Sequence, residues 1–273
     1  MIRKAVFSGK FYPDNARELT NFIEGQLENI KPENIKQKNN LGNLNKLGLI
    51  LPHAGYVFSA KTAIKAIVKA FPLIFPTTII ILGTNHTGLG NAVCSVWDSG
   101  QWETPLGAIE VDSEISKMLI ENSTKFRSDY SAHLYEHSIE VQLPLLKYFF
   151  KDFKIVPIVY NVQNIENTYE IIKVFRKLNI YNLLFVASSD FNHYDDDSTT
   201  RKKDEILIER ILNKDLIGMF EVAKKHKVSA CGIGPMSVLV GMFEKIELVD
   251  HTTSAEVSND YSYTVGYASF LLR

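Results

Sequence analysis

Two hydrophobic periods alternate along this chain. "ARELTNFIEGQL" (16–27), "SAKTAIKAIVKAF" (59–71) and "IENTYEIIKVFRKL" (165–178) carry apolar residues at helical spacing. Between them lie short apolar runs that read as buried strands: "LGLILP" (47–52), "TTIIILG" (77–83), "KIVPIVY" (154–160) and "NLLFVASSD" (182–190). "NAVCSVW" (91–97) and "GAIEVD" (107–112) add two more strands around a turn-rich segment, and a helix follows from about 113 to 121. "EHSIEVQLPLLKYFF" (136–150) reads as a helix that Pro144 kinks or shortens. Two helices are expected between about 202 and 225, and a third over 234–246, opened by Pro235. The last two runs, 246–254 and 261–272, read as an antiparallel strand pair.

Strands that alternate with helices imply an α/β fold. We expect a single-domain three-layer sandwich over 1–273, with a mixed, mainly parallel central sheet and helices on both faces. The Asn- and Lys-rich stretch at about 28–46 has little periodicity and reads as a polar surface connection.

The composition narrows the classes of function. The 273 residues are 45% hydrophobic and 22% charged, with a formal net charge of -1. That balance fills a core and gives no basic field for nucleic acid or an anionic membrane. No run has the length of a membrane span, and "MIRKAVFSGKFYP" lacks the apolar core of a signal peptide, so the cytoplasm is the expected location. Cys94 and Cys231 are far apart and form no CxxC pair, which argues against a disulfide framework. Cys94, inside an apolar run, reads as core.

The histidines change the picture. In open α/β sheets, functional loops gather at the carboxyl ends of strands. The strand at 47–52 ends in "PHAGY" and presents His53, the strand at 77–83 leads to His86, and the strand at 183–187 ends in "SSDFNH", presenting Asp190 and His193. Cys231 precedes a predicted helix N-terminus, where the helix dipole and a bound metal would both favour its thiolate. Imidazoles and a thiolate on separate loops suit a catalytic metal site better than a closed structural zinc. Asp190 and His193 would support the ligands or serve as general acid and base. His133 and His137, four residues apart, form a rival pair. We read His133 as exposed and non-ligating, and His137 as facing the pocket. His226 reads as part of a solvated basic face, and His251 as a strand-end residue with a local hydrogen bond.

Taken together, "SGKFYP", "PHAGYVFSA", "GTNHTG", "WETPLG", "EHSIEVQLP", "SSDFNHY", "ACGIGP" and "SNDYSYTVGYA" resemble the Memo family, the B component of the prokaryotic AmmeMemoRadiSam system. The motifs follow the family's order over nearly the whole chain. One departure is Thr84, where many relatives carry proline. The family is similar in fold to class III extradiol ring-cleavage dioxygenases, in which two histidines and a carboxylate hold iron. In Memo-like proteins a cysteine takes the carboxylate position.

The resemblance therefore implies His53, His86 and Cys231 as metal ligands, with His193 and Asp190 in the catalytic roles and His137 and Tyr56 as weaker pocket candidates. It implies iron or copper as the metal, with zinc also compatible. The function expected is a metal-dependent oxidoreductase acting on a small substrate. The alternative is a non-catalytic peptide-binding or metal-sequestering protein that uses the same pocket. The family name also implies a functional link to radical SAM and AMMECR1-like proteins. A metal-free hydrolase built on "SSDFNH" is disfavoured, because no G-x-S-x-G elbow is present.

Overall fold

The computed structural model describes residues 1–28, 30 and 44–273. Most of the polar connection expected at 28–46 lies outside the described residues. In chain order the elements are β1 (Ile2–Arg3), α1 (Ala16–Glu28), β2 (Lys46–Leu51), α2 (Tyr56–Ala70), β3 (Thr78–Thr84), β4 (Cys94–Val96), β5 (Gln101–Trp102) and β6 (Ile109–Glu110). These are followed by α3 (Ser113–Asn122), β7 (Phe126–Ser128), α4 (Gln142–Phe150), β8 (Lys154–Tyr160), α5 (Ile165–Arg176) and β9 (Leu183–Ser188). The chain ends with β10 (His193–Asp195), α6 (Asp197–Leu212), α7 (Leu216–His226), α8 (Ile233–Met242), β11 (Ile246–Thr253), α9 (Ala255–Ser258) and β12 (Thr264–Leu272).

The main sheet runs β12-β2-β9-β3-β8-β4-β7, with β11 and β10 also paired to β12. Its centre, β2-β9-β3-β8, is parallel, whereas β12 against β2 and β4 against β8 are antiparallel. Alternation along the strands assigns the two faces. Leu49, Ile79, Ile81 and Val186 pack with α1, α2 and α4, while Ile50, Ile80, Leu82 and Phe185 pack with α3 and α5 to α8. A continuous apolar run has no polar side because both sides are covered. Each fully buried Ile or Leu of this kind contributes about 1.5–3 kcal/mol of transfer free energy. The three-layer arrangement with a mixed sheet is as the sequence predicts.

Two local expectations need correction. The 136–150 segment is helical only from Gln142. A short 3-10 turn at Ser131–His133 and further turns precede it. His133 is fully buried, not exposed. Its Nε2 lies 3.0 Å from the Ser95 carbonyl, and the rings of Trp97 and Trp102 stand edge-on to it. Among the described residues, no helix is long and apolar enough to cross a membrane.

Candidate metal centre

The parallel centre of the sheet explains why distant residues meet. β2 and β9 run in register from Lys46↔Leu183 to Leu51↔Ser188, so they end side by side. β3 lies on the other side of β9. The loops after these three strands therefore leave the same sheet edge, carrying His53, Asp190 and His86.

A fourth segment closes over that edge. Gly83, in β3, has no side chain to hold it off: a Cβ there would stand 2.6 Å from both Ser138 Oγ and Ile139 Cγ1. The Ser138 hydroxyl donates to the Thr84 carbonyl at 2.9 Å. This close approach brings His137 against the other two imidazoles. The ligand atoms of His53, His86 and His137 all lie within 4.8 Å of one another. The His86 and His137 rings stack at 4.4 Å, and His53 stands edge-on to both. His137 thus belongs to the cluster itself.

The hydrogen bonds behind the rings set their tautomers. Ser188 Oγ gives its proton to the Ser138 carbonyl at 2.6 Å and accepts from Gln142 Nε2 at 2.8 Å. Its contact with His53 Nδ1, at 2.9 Å, is therefore one in which the imidazole donates. His86 Nδ1 donates to Glu136 Oε1 at 2.8 Å. With Nδ1 as the donor, the neutral form of each ring carries its lone pair on Nε2, which is the arrangement a metal-binding histidine needs.

Glu136 was missed by sequence reasoning. It is 1% exposed and also accepts from the backbone N–H groups of His86 (2.6 Å) and Ser138 (2.9 Å), with His137 Nδ1 at 3.4 Å. Burial alone would raise its pKa, but the His86 bonds and the neighbouring histidines bring it to about 2. Burial holds His53 at about 3 and His137 at about 4, each pushed further down by neighbouring histidines. Both are neutral at physiological pH, as ligation requires.

Cys231 enters from the opposite side, immediately before the Gly232 cap of α8. Its sulfur lies 3.3 Å from His53 Nε2 and accepts from the Asp190 N–H at 3.3 Å. Two atoms ligating one ion at about 2.1 and 2.3 Å stand roughly 3.6 Å apart in tetrahedral geometry, close to the separation found here. The group that could hold a metal ion is the three imidazoles of His53, His86 and His137, and of these the Cys231 sulfur meets His53. The helix dipole does not make the thiol acidic, as the sequence had led us to expect. Burial and the Asp190 carboxylate push it well above its ordinary value, so the thiol keeps its proton. Thr84, the departure from the family pattern, ties the His86 strand to this loop: its hydroxyl donates to the Cys231 carbonyl at 2.7 Å and accepts from Gln163.

Asp190 and His193 flank the cluster. Asp190 Oδ1 accepts from the backbone N–H groups of His53 (2.7 Å) and Ala54 (3.3 Å), which fixes the first ligand loop. Burial raises its pKa against that backbone bond and the nearby histidines. His193 Nδ1 donates to the Ser229 carbonyl at 2.9 Å, which anchors the ring. Tyr56 does not join them. It is buried beside Tyr12 and Phe22 with its hydroxyl donating to the Val141 carbonyl, so it has no group to offer a substrate. Phe7 and, from the "SGKFYP" stretch, Phe11 pack against the His137 ring at 5.6 and 4.8 Å. His251 bonds not locally but across to the buried Asp204, at 3.0 Å.

The family model for Memo-like proteins matches residues 3–271. The chain belongs to the Memo family. A MEMO1 family protein of Desulfurococcus amylolyticus is 39% identical to this Memo chain, over 98% of the chain and 97% of the relative. One from Thermotoga neapolitana is 37% identical over the full length of both. Among solved structures, an uncharacterized protein from Escherichia coli K12 aligns with a TM-score of 0.59 at 12% identity, covering 83% of this chain and 99% of that one. That likeness supports the Memo fold only.

Proposed function

We propose that this Memo protein is a metal-dependent oxidoreductase acting on a small substrate in the cytoplasm. His53, His86 and Cys231 are its ligands, with His137 completing the donor set. The observation that carries this reading is the pair of fixed tautomers, which turn the Nε2 lone pairs of His53 and His86 toward a pocket where the Cys231 sulfur meets the first of them. Two neutral imidazoles and a thiolate suit iron, copper(I) or zinc. A redox-active ion bound there supplies one-electron chemistry and Lewis acidity.

The protein's own groups supply the rest. Glu136 keeps His86 and His137 in place. Asp190 holds the His53 loop. His193, anchored through Nδ1, accepts a proton from substrate at Nε2. Phe7 and Phe11 keep water from the His137 side. Metal storage needs no acid–base group beside the cluster, and the placement of His193 is what favours catalysis over sequestration. A link to radical SAM and AMMECR1-like proteins remains part of the proposal.

The test is oxygen uptake by anaerobically iron- or copper-loaded protein over a panel of small organic reductants, for the parent and His193→Ala. We expect metal-dependent uptake in the parent, and an intact metal complex without uptake in His193→Ala. Tight metal binding with no turnover on any reductant would overturn the enzymatic reading in favour of sequestration.

A further inference from the structure

The loop after β9 and the loop before α8 are laced together. The Gly232 N–H donates to Ser189 Oγ at 2.8 Å, and the Asp190 N–H reaches the Cys231 sulfur at 3.3 Å. Farther along, the lacing centres on Asn192, which is fully buried. Its backbone is held on both sides. The N–H donates to Asp204 Oδ1 at 2.9 Å, and the carbonyl accepts from the Gly266 N–H at 2.8 Å. Asp204 is itself fixed by His251 at 3.0 Å.

The Asn192 side chain reaches across to the other loop. Its Oδ1 accepts from the Ser229 N–H and the Ser229 hydroxyl, both at 3.2 Å, and its Nδ2 donates to Asp195 Oδ2 at 2.8 Å. Bonds from Lys203 and Asn192 keep the Asp195 carboxyl below its ordinary pKa, so it is an ionised acceptor. A backbone N–H only donates and a carboxylate only accepts, so the two ends of the amide cannot be exchanged. Ser229 in turn takes His193 at two points. Its hydroxyl accepts from the His193 N–H at 2.8 Å, and its carbonyl accepts from Nδ1 at 2.9 Å.

Pairing with Val265 of β12 fixes the His193 backbone but not the ring. Among the described residues, the Ser229 carbonyl is the ring's hydrogen-bond partner. Ser229 is exposed, and Asn192 is what ties it to the interior. We propose that Asn192 is the positioning residue for His193. Through Ser229, two residues before Cys231, one amide registers the proton-transfer ring against the loop that carries the sulfur. Alanine at 192 releases Ser229, and aspartate sets a second carboxylate against Asp195. The inference rests on the proposed function in taking His193 as the proton-transfer group.

The experiment records long-range 1H–15N correlations of the histidine rings in the full chain, metal-free and loaded with redox-inert Zn(II), with His193→Gln assigning the His193 signals. The variants are Asn192→Ala, Asn192→Asp, and Asn192→Asp combined with Asp195→Asn. The parent should show one His193 form, with a bonded proton on Nδ1. Both single variants should lose it, as the released ring exchanges between forms. Zn(II) affinity should stay at the parent's value, because Ser189 and Asp190 hold the Cys231 loop separately. The double variant should restore the parent's signals, since the acceptor then stands at 192 and the donor at 195. In iron- or copper-loaded protein, kcat for oxygen uptake should fall at least about tenfold in the single variants at unchanged KM, within the ~10²–10⁴-fold that a placed acid–base group supplies.

Unchanged His193 signals in a folded single variant would overturn the inference, as would a parent ring without a proton on Nδ1. A double variant no better than Asn192→Asp would overturn it too, and so would a loss of Zn(II) affinity as large as that of Cys231→Ala. Should Asn192→Ala fail to fold, Asn192→Asp and the double variant decide alone. A parent without oxygen uptake would instead count against the proposed function, and the ring signals would still judge Asn192.

Discussion

Replacing Glu136 by Gln keeps the shape of the side chain and removes its charge. The carboxylate accepts three hydrogen bonds, from the His86 N–H, His86 Nδ1 and the Ser138 N–H. A glutamine has one acceptor oxygen and turns an amide donor toward one or more of those donors. At least one buried donor then loses its partner, at about 1–3 kcal/mol. The same change frees the His86 ring to adopt the other tautomer, which withdraws Nε2 as a lone pair. Loss of such a supporting carboxylate typically lowers metal affinity about 10–100-fold. Competition titration against a chromophoric chelator measures the affinity, and urea denaturation of the metal-free protein measures the stability cost separately. Affinity in Glu136→Gln within about twofold of the parent would refute the idea that this carboxylate orients the ligands.

Further expectations follow from the same geometry. Metal binding at pH 7 should release one more proton from the parent than from Cys231→Ala, because the Cys231 thiol is held protonated without a cation; calorimetry in buffers of different ionisation enthalpy counts the protons, and equal counts would remove Cys231 from the ligand set. Burial lowers the folded pKa of His133 to about 4, below its unfolded value of about 6.5, so the unfolded chain binds the proton first. Its contribution to stability is full above about pH 6.5 and is lost as pH falls toward 4, up to a ceiling of about 3 kcal/mol. His133→Gln should flatten that part of the stability–pH curve, and an unchanged slope would contradict it. Gly83→Ala should cost about 1–3 kcal/mol through overpacking and weaken metal binding by displacing Ser138 and His137. A variant that matches the parent in both urea midpoint and affinity would count against the close-approach argument.

The sheet and its two helical layers were legible because a parallel strand covered on both faces carries a continuous apolar run, as in Ile79–Leu82 of β3. His53 and His86 were legible for the same reason: a polar residue just past the end of such a strand stands out. The 131–141 segment was not. Its i, i+4 histidines imitate a helix, but the side chains of Glu136 and Glu140 are committed elsewhere. Glu136 reaches His86, and Glu140 takes Arg3, the Phe7 N–H and the Tyr12 hydroxyl, so the chain stays in turns until Gln142. These partners lie 50 or more residues away in sequence, beyond the reach of any local pattern.

The most direct test of the metal centre is the metal content and affinity of protein purified without oxygen, compared with His86→Ala and Cys231→Ala. The geometry calls for stoichiometric iron or copper in the parent, lost by both variants, with little change in the urea midpoint because both residues lie on loops. A parent that takes up no metal after reconstitution, or variants that bind as tightly as the parent, would contradict it.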